Sequence, residues 1–245
     1  MISNSKNGAV DVTVILTGYN EGSILKGNLE KVKNILDETR YRWEIILIDD
    51  KSQDNTPKIF KSFADKNSNV RAFFHTENFG RGGTVAEGIR VAKGKVVGFI
   101  DTDLELPAIY IPEFVRAIEG GADIAIATRI YTVSFSNLFR TILSTGYTKM
   151  VKRFLNLGLK DTEAGLKFFN RKKILPVLDK TEDKRWFFDT EIVARSLWEG
   201  LKITEVPVLY LKKPEKQSSV HAIRDTIRYT KSLIRLKKNT LRKII

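Results

Sequence analysis

The sequence predicts an α/β fold in which helices cover both faces of a doubly wound sheet. Apolar, β-branched runs alternate with segments of helical period through the first 130 residues, a pattern typical of parallel strands joined by helices. Hydrophobic residues make up 42% of the chain and charged residues 29%, as in ordinary soluble globular proteins. The 245 residues suffice for one large domain or at most two small ones.

Strands and helices alternate regularly only in the first part of the chain. The strands predicted there are Val12–Leu16, Trp43–Ile48, Val70–Phe74, Val96–Ile100 and Ile124–Ala127, and the helices lie near 23–38, 56–66, 83–92 and 108–119. The second part predicts a helix at about 137–155, a strand at Gly165–Asn170, a helix near 189–199, a strand at Ile203–Tyr210 and a basic helix from about 221. Neither an internal repeat nor a flexible linker is evident, which favours a single domain.

Composition excludes several classes of site. The chain has no cysteine, so disulfides and thiolate metal sites are excluded. It has only two histidines, His75 and His221, so a histidine-built zinc site is not expected. Any bound metal must therefore be a hard ion with oxygen ligands. No apolar run approaches the roughly 20 residues that span a bilayer, and the N-terminus lacks the pattern of a signal peptide. We expect a cytosolic protein, or one peripheral at the cytosolic face of a membrane.

The positive charge is concentrated at the C-terminus. The net charge is +13, and the segment from Lys212 to Ile245 contributes +9 of it, with eleven basic and two acidic residues. This tail predicts an anionic surface or ligand on one side of the protein. Apolar residues recur in it at near-helical spacing: Val220, Ile223, Ile227, Thr230, Ile234 and Leu241. The pattern favours an amphipathic helix at an anionic membrane surface, and the alternative is a structural helix packed on the core.

Polar residues follow four of the predicted strands. They are Tyr19-Asn20-Glu21 after the first strand, Asp49-Asp50 after the second, Asp101-Thr102-Asp103 after the fourth and Arg129 after the fifth. Ligands of doubly wound sheets bind at the carboxyl ends of the strands. The sequence therefore predicts one polar site along one edge of the sheet.

Three acidic residues, Asp101, Asp103 and Glu105, end the fourth strand at alternate positions. Carboxylates at the end of a buried strand need compensating positive charge. In an extended segment Asp101 and Asp103 point to the same side, where both could hold Mg²⁺ or Mn²⁺ together with a diphosphate. The alternative is that the acids are solvated, or that they cap the helix after Pro107.

Two further segments have less specific patterns. Asp54 and Thr56 follow the second strand, and we expect them to cap the next helix. The glycine-rich stretch from Asn78 to Thr84 opens a helix, where phosphate could meet backbone N–H groups. It matches neither the dinucleotide fingerprint nor the P-loop, because Val85 replaces the third glycine and no Lys-Ser/Thr pair follows.

Taken together, these motifs resemble the family-2 glycosyltransferases, which have the nucleotide-diphospho-sugar transferase (GT-A, Rossmann-like) fold with a mixed central sheet. The generic motifs are YNEG, IDDKSQDNT, NFGRGGTVAEG and DTDLELP. Further motifs resemble the polyprenyl-phosphate subgroup of dolichyl-phosphate glucose and mannose synthases: ATR at 127–129, FRTILS at 139–144, DTEAGLKFFNR at 161–171, RWFFDTEI at 185–192 and TEVPV at 204–208. The resemblance covers about residues 10–220. It implies a single glycosyltransferase domain at 1–220, with a nucleotide-sugar half at about 10–130 and an acceptor half at about 130–220, followed by a basic amphipathic helix at 221–245.

The resemblance also implies roles for residues of the first half. Thr17, Tyr19 and Glu21 line the nucleotide pocket, with Thr17 standing where the family usually has proline. Ile48 and Asp50 hold the base and the ribose. The metal and diphosphate are held by Asp101, Asp103 and Glu105, with Glu105 replacing a frequent glutamine or serine.

In the acceptor half the resemblance implies phosphate contacts. Arg129 meets phosphate oxygens, and Arg140 and Ser144 lie near the acceptor phosphate and sugar, so the expected catalytic residues are Asp103, Arg129, Arg140 and Ser144. Relatives carry an arginine and a Gly-x-Ser-Lys turn after the EVPV strand. At these positions the present chain has Lys213, Ser218 and Ser219 and lacks the final lysine, which weakens the expected capture of phosphate there.

The expected function is metal-dependent, inverting transfer of a hexose from a nucleotide diphosphate sugar, UDP-Glc or GDP-Man, to a polyprenyl (dolichyl) phosphate. A lipid monophosphate is largely ionised at neutral pH and needs no general base. Asp189 and Glu191 are alternative bases, or they pair with Arg185 or Lys167. The competing hypotheses are a glycan or small-molecule acceptor, or a non-catalytic module that binds sugar nucleotide or membrane. No nucleic-acid recognition motif accompanies the basic tail, so nucleic acid is not an expected partner.

Overall fold

The structure is a computed structural model that describes residues 9–131, 155, 157–212 and 222–241. Its strands are β1 Val12–Gly18, β2 Trp43–Asp49, β3 Val70–Phe74, β4 Val96–Ile100, β5 Ile124–Tyr131, β6 Leu166–Asn170 and β7 Ile203–Tyr210. Its helices are α1 Leu25–Asp37, α2 Thr56–Lys66, α3 Arg81–Val91, α4 Ile111–Glu119, α5 Arg171–Leu178, α6 Phe188–Trp198 and α7 Ala222–Leu241. The predicted helix at 137–155 lies almost wholly outside the described residues.

The seven strands form one mixed sheet in the order β3-β2-β1-β4-β6-β5-β7. Strand β6 runs antiparallel to both of its neighbours, β4 and β5, whereas the other pairs are parallel. All seven predicted strands are present, and the mixed sheet is confirmed. Helix α5 was not predicted, because it has only eight residues and contains Pro176, which disfavours a helix interior.

Helices cover both faces of this sheet. On one face α1, α2 and α4 pack on the strands, and α1 buries Leu25, Leu29, Val32 and Leu36, which recur at the spacing of one helical face. On the other face α3, α5 and α6 pack through a second apolar cluster. These two layers fix the direction of every strand, so the carboxyl ends of β1, β2, β4 and β5 meet at one edge.

Helix α7 packs on the body of the protein. Leu233 and Leu236 are almost fully buried, in a cluster with Leu155, Leu157, Phe187 and Ala194. The structural alternative for the tail is therefore confirmed for this face of the helix. Ile234, which belongs to the predicted apolar stripe, remains 41% exposed, so the stripe and the packed face are different faces. No helix in the described part of the chain is both long and apolar enough to cross a membrane.

Candidate active site

The loops after β1 and β2 hold each other at the sheet edge. Asn20 has a positive φ of 57°, and its backbone N–H donates to the Ser52 hydroxyl at 2.9 Å. The backbone N–H of Glu21 donates to the Thr56 hydroxyl, also at 2.9 Å. The Asp54 carboxylate accepts from the backbone N–H groups of Gly22 and Thr56. Asp54 thus binds the first residue of α2 and the loop that follows β1, but the N-cap position itself is Asn55, so neither Asp54 nor Thr56 is the expected N-cap.

The first predicted nucleotide contacts lie beside these loops. Tyr19 is half exposed, and Thr17 and Glu21 are partly buried, so all three can reach a ligand. Ile48, in contrast, is fully buried in the core. Its side chain packs in the second apolar cluster, so the expected contact of Ile48 with the base stays a prediction for its backbone.

The Asp50 carboxylate is occupied by the protein itself. It accepts from the backbone N–H groups of Phe79 at 2.7 Å and Gly80 at 2.9 Å, and it lies 2.9 Å from Nδ1 of His75. Its expected contact with ribose is not supported by this geometry. Asp49 differs, because its Oδ1 has no hydrogen-bond partner in the described part of the chain, although Oδ2 accepts from the backbone N–H of Ser52.

The glycine-rich start of α3 makes protein contacts where phosphate was expected. The backbone N–H of Gly80 donates to Asp50, and that of Gly83 donates to the carbonyl of Lys184 at 2.9 Å. A Cβ at Gly82 would stand 2.4 Å from Cβ of Phe188. The glycines therefore let the segment before α6 pack closely on α3, and the predicted phosphate loop is wrong for these two amides.

Arg81, the first residue of α3, connects the strand end to α6. Its Nε and Nη2 donate to Oδ1 of Asp101 at 2.9 and 2.7 Å, and its Nη1 donates to Asp189. Asp189 also accepts from Nζ of the fully buried Lys167 at 3.0 Å. The expected pairing of Asp189 with Lys167 is thus confirmed. Glu191 pairs with Arg195 at 2.7 Å and not with Arg185.

The pKa values in this group reflect burial and the mutual effects of the charged side chains. Burial would lower the pKa of Arg81, but Asp101 and Asp189 raise it. The pKa of Asp101 is raised, because burial desolvates its carboxyl and Asp103 and Asp189 add negative charge against the opposing effect of Arg81. The pKa of the buried Lys167 is lowered by desolvation, against the effect of Asp189. The Asp101 side chain remains 40% accessible, so a ligand can still reach it.

The three predicted metal ligands do not lie along an extended segment. The Leu104 backbone N–H donates to the Asp101 carbonyl at 3.1 Å, and Leu104 has a φ of 51°, so the chain turns there. Asp103 accepts from the backbone N–H of Glu105 at 3.2 Å and caps no helix. Glu105 is turned toward β7, where Oε2 accepts from the Tyr210 hydroxyl at 2.7 Å. Asp101 and Asp103 remain neighbours, and Glu105 is the least suited of the three to a shared metal.

Arg129, at the end of β5, forms a bidentate ion pair with Asp161, which we call the fork. Its Nε donates to Oδ2 at 2.6 Å and its Nη2 to Oδ1 at 3.0 Å. Glu163 lies 3.8 Å from the same guanidinium. Burial would raise the pKa of Asp161, but the charge and hydrogen bonds of Arg129 lower it. The pKa of Glu163 is raised to about 7, mainly by burial and against the effect of Arg129.

These groups form one charged cluster that spans the sheet edge. Its five carboxyl groups are those of Asp101, Asp103, Asp161, Glu163 and Asp189, and its three basic groups are those of Arg81, Arg129 and Lys167. The formal excess of two negative charges and the all-oxygen donor set fit a divalent cation such as Mg²⁺ or Mn²⁺. Within the residues that the structure describes, no three acidic or histidine side chains form a ready-made metal cage.

Sequence reasoning missed Arg81, Asp161 and Glu163. Each lies at least 20 residues along the chain from the charged residue that it contacts, so hydrophobic periodicity gave no signal. The sequence cues were the basic residue between glycines and the acidic residues of DTEAG. Other expected site residues lie outside the described part of the chain: Arg140, Ser144, Lys213, Ser218 and Ser219.

A family comparison decides the class of protein. The model of the family described as glycosyl transferase family 2 matches residues 13–175, more than half of the chain. The chain belongs to glycosyl transferase family 2. It is therefore a glycosyltransferase, as the motifs predicted.

Curated relatives within the family have more specific names. The family-2 chain is 28% identical to glycosyltransferase AglD of Haloferax volcanii over 231 residues, which cover 92% of this chain but only 37% of AglD. It is 29% identical to the dolichyl-phosphate beta-glucosyltransferase of Dictyostelium discoideum, covering 89% of this chain and 73% of the relative. It is 28% identical to the Saccharomyces cerevisiae enzyme of the same name, and the match covers 91% of this chain and 73% of that enzyme.

Solved structures show the same fold. Mannosyl-3-phosphoglycerate synthase from Rubrobacter xylanophilus matches with a TM-score of 0.69 and 15% identity, covering 96% of this chain and 75% of that protein. A second match is glucosyl-3-phosphoglycerate synthase from Mycobacterium tuberculosis, in complex with Mn²⁺, UDP and glucosyl-3-phosphoglycerate. Its TM-score is 0.66 and its identity 13%, and the match covers 93% of this chain and 78% of that protein. The predicted nucleotide-diphospho-sugar transferase fold is confirmed.

Proposed function

We propose that this family-2 glycosyltransferase moves a hexose from a nucleoside diphosphate sugar to a polyprenyl phosphate, with inversion at the anomeric carbon. The observation that carries the proposal is the similarity to two dolichyl-phosphate beta-glucosyltransferases over 89% and 91% of this chain. The similarity extends through the acceptor-side motifs and beyond the strands common to the fold. For this reason a glucosyl donor such as UDP-glucose is favoured over GDP-mannose.

The nucleotide would bind where the loops after β1 and β2 meet. Tyr19 is 50% exposed there, and its ring offers a flat apolar surface to a base. Thr17 and Glu21 line the same loop.

The diphosphate would lie over the carboxyl end of β4. Asp103 and Asp101 would hold Mg²⁺ or Mn²⁺, since they are adjacent and belong to a cluster with excess negative charge. When bound, such a cation neutralises charge on the departing nucleoside diphosphate. Arg81 holds Asp101 from the protein side and thereby orients its carboxylate toward the donor.

The acceptor phosphate would approach from the β5 side. In the transfer, a phosphate oxygen forms the new bond to the anomeric carbon while the bond to the nucleoside diphosphate breaks with both of its electrons. The phosphate is already ionised and loses no proton in this step, so no general base is needed. Two nitrogens of Arg129 are bound to Asp161, and the fork holds the guanidinium beside the incoming phosphate.

The tail would bring the enzyme to its lipid acceptor. Lys231, Ile234 and Lys238 are exposed on α7, away from the buried Leu233 and Leu236. A basic face with an exposed apolar residue suits an anionic lipid surface. Packing on the body and contact with a membrane are therefore compatible, because they use different faces of one helix.

A transfer assay tests the proposal. Purified protein is incubated with radiolabelled UDP-glucose or GDP-mannose, Mn²⁺ and a short, water-soluble prenyl phosphate, and the label in prenyl product is measured after chromatography. We expect UDP-glucose to label the prenyl phosphate strongly and GDP-mannose weakly. NMR of the product should show the β-anomer, as inversion of an α-linked donor requires.

Two outcomes would contradict this function. Transfer to a glycan or soluble acceptor, with none to prenyl phosphate, would replace the acceptor class. Tight binding of the nucleotide sugar without hydrolysis or transfer to any acceptor would indicate a binding module in place of an enzyme.

A further inference from the structure

Trp186 is exposed although its chain segment is tightly held. Trp186 belongs to the chain segment that joins α5 to α6, and it is 49% accessible. Large aromatic side chains usually bury most of their surface, and an exposed one with charged neighbours is a candidate contact for a ligand. The neighbouring residues Phe187 and Phe188 are almost fully buried, so Trp186 is the exposed member of three consecutive aromatic residues.

Hydrogen bonds fix the backbone of this segment from three elements. The Glu191 carboxylate accepts from the backbone N–H groups of Glu182 and Asp183 at 3.1 and 2.8 Å. From α3, Gly83 donates to the carbonyl of Lys184. The protein thus restrains the residues around an indole that it leaves open to solvent.

Helix α7 supplies the third restraint. The Tyr229 hydroxyl donates to the carbonyl of Trp186 at 3.1 Å, and the Tyr229 ring packs edge-on against Phe187 at 5.2 Å between centroids. The Ser232 hydroxyl donates to Asp183 at 3.0 Å. The tail helix therefore holds the backbone that carries Trp186.

The indole lies next to the group that holds Asp101. The Arg81 guanidinium stands 5.4 Å from the Trp186 ring and 5.3 Å from the Phe99 ring, so it lies over both aromatic rings. The same guanidinium donates to Asp101 at 2.7 Å. One residue thus separates the indole from the carboxylate that is expected to face the donor diphosphate.

We infer that Trp186 is a sugar-binding residue whose indole stacks on the hexose of the donor, and that Tyr229 is a positioning residue that fixes it. This inference rests on the proposed function and extends it to the sugar itself. A pyranose presents C–H groups on one face, and a flat apolar ring covers that face while the hydroxyl groups remain free for polar contacts. A rigid platform binds well because little conformational entropy is lost on binding.

Fluorescence of a single tryptophan tests the contact directly. The chain has three tryptophans, and the double variant Trp43→Phe/Trp198→Phe retains only Trp186. It is titrated, in the presence of Mn²⁺, with UDP-glucose and GDP-mannose and, separately, with UDP and GDP. We expect the sugar-bearing ligand of the preferred base to change the emission of Trp186 several-fold more than the matching nucleotide does.

Affinity measurements on Trp186 variants provide the second readout. Trp186→Leu should weaken the preferred nucleotide sugar about tenfold, while Trp186→Phe should retain most of the affinity because a ring remains. Neither change should alter the Kd of the bare nucleoside diphosphate by more than about twofold. Tyr229→Phe should give a smaller loss of the same kind, in KM for the donor more than in kcat.

The possible results separate this inference from the proposed function. If Trp186→Leu binds the nucleotide sugar as the unmodified protein does, or weakens bare nucleotide equally, Trp186 has no sugar contact and the inference is wrong. If the unmodified protein binds no nucleotide sugar in either assay, the proposed function fails and the inference fails with it. Melting curves of the Trp186 variants should match the unmodified protein, because the replaced side chain is exposed.

Discussion

The Asp101 carboxylate packs directly on the backbone of Gly165, and we refer to this contact as the seat of Asp101. A Cβ at Gly165 would stand 1.8 Å from Oδ2 of Asp101, and the Gly165 carbonyl accepts from the Asp101 backbone N–H at 3.0 Å. The residue before β6 therefore fixes both the backbone and the side chain at the end of β4. Since Oδ1 is held by Arg81, the position of this carboxylate is determined from two sides.

The first prediction concerns this seat. Gly165→Ala should push the Asp101 carboxylate out of place and lower transfer activity by about 10²-fold, because small displacements at a reacting site are costly. Overpacking should also cost about 1–3 kcal/mol of stability. Gly27→Ala in α1 is the control, since a Cβ there meets nothing within 4 Å. Kinetics and melting of both variants check the prediction, and equal activity would show that the seat is unimportant.

The second prediction concerns divalent metal. Nucleotide sugar should bind weakly in EDTA, because Asp101 and Asp103 would face a diphosphate without compensation. Asp103→Asn should lower activity by about 10²-fold or more while the fold survives. Calorimetry with and without Mn²⁺ measures the first effect, and Asp65→Asn on the exposed side of α2 controls for loss of charge. Full activity in excess EDTA would end the metal assignment.

The third prediction concerns the fork between Arg129 and Asp161. Arg129→Lys should be poorly tolerated, because a lysine cannot form two parallel hydrogen bonds to one carboxylate. We expect kcat/KM for prenyl phosphate to fall about tenfold or more. Arg42→Lys is a matched control, because Arg42 forms the same kind of fork with Asp11 at an exposed site. Arg140→Lys should behave like Arg129→Lys if Arg140 also meets phosphate, and unchanged kinetics would make it a surface residue.

The fourth prediction concerns the pH dependence of stability. The pKa of Glu163 is raised from 4.5 to about 7 in the folded protein. Between these values the folded state retains a proton that the unfolded state releases. Its contribution to stability is complete below pH 4.5 and is lost as the pH rises to about 7 and above. The contribution is at most about 3 kcal/mol.

Glu163→Gln should remove this dependence. Denaturant unfolding at pH 5 and pH 8, in EDTA, should show a larger decrease for the unmodified protein than for Glu163→Gln. Glu30→Gln, on the exposed face of α1, should behave like the unmodified protein. Identical pH profiles for all three proteins would show that Glu163 titrates near its ordinary pKa.

The fifth prediction separates the two faces of α7. Lys231→Gln/Lys238→Gln should weaken binding to anionic liposomes and slow transfer to a long prenyl phosphate, without lowering Tm. Transfer to a short, soluble prenyl phosphate should change little. Lys93→Gln/Lys95→Gln, a matched loss of charge beyond the opposite end of β4, should leave liposome binding intact. Binding should also fall with added salt, since exposed charges are screened within about 8 Å at physiological ionic strength.

Deletion of 221–245 should act differently. It removes Leu233 and Leu236 from a buried cluster, so it should lower Tm and both transfer activities together. Liposome binding that is equal in the intact protein and in the lysine variant would contradict the membrane proposal. Flotation at low and high salt, beside melting curves, makes the comparison.

The strands and the site edge were predictable because their signals are local. Each strand is a continuous apolar run, and polar residues follow it directly, so the convergence at one edge follows from topology alone. The partners of those polar residues were not predictable. Arg81 meets Asp101, and Tyr210 meets Glu105, because packed layers bring distant segments together.

Local sequence patterns gave less reliable predictions for residues that turn out to be buried. Ile48 precedes a polar pair but ends inside the core, and Asp50 is used to hold the start of α3. The neighbouring Asp49 is the same residue type one position away, but its carboxylate accepts from Ser52 and not from the start of α3. Such a difference depends on how distant segments pack together, which a single sequence does not specify.

The position of β6 limits how the acceptor preference of such an enzyme can be altered by exchanging parts of the chain. This strand comes late in the chain yet lies between β4 and β5, so the later half of the chain supplies the centre of the sheet that the earlier half begins. A chimaera joined after β5 would exchange the acceptor side and, with it, the strand preceded by the seat of Asp101. New acceptor preferences should therefore arise more readily through surface segments than through exchange of halves.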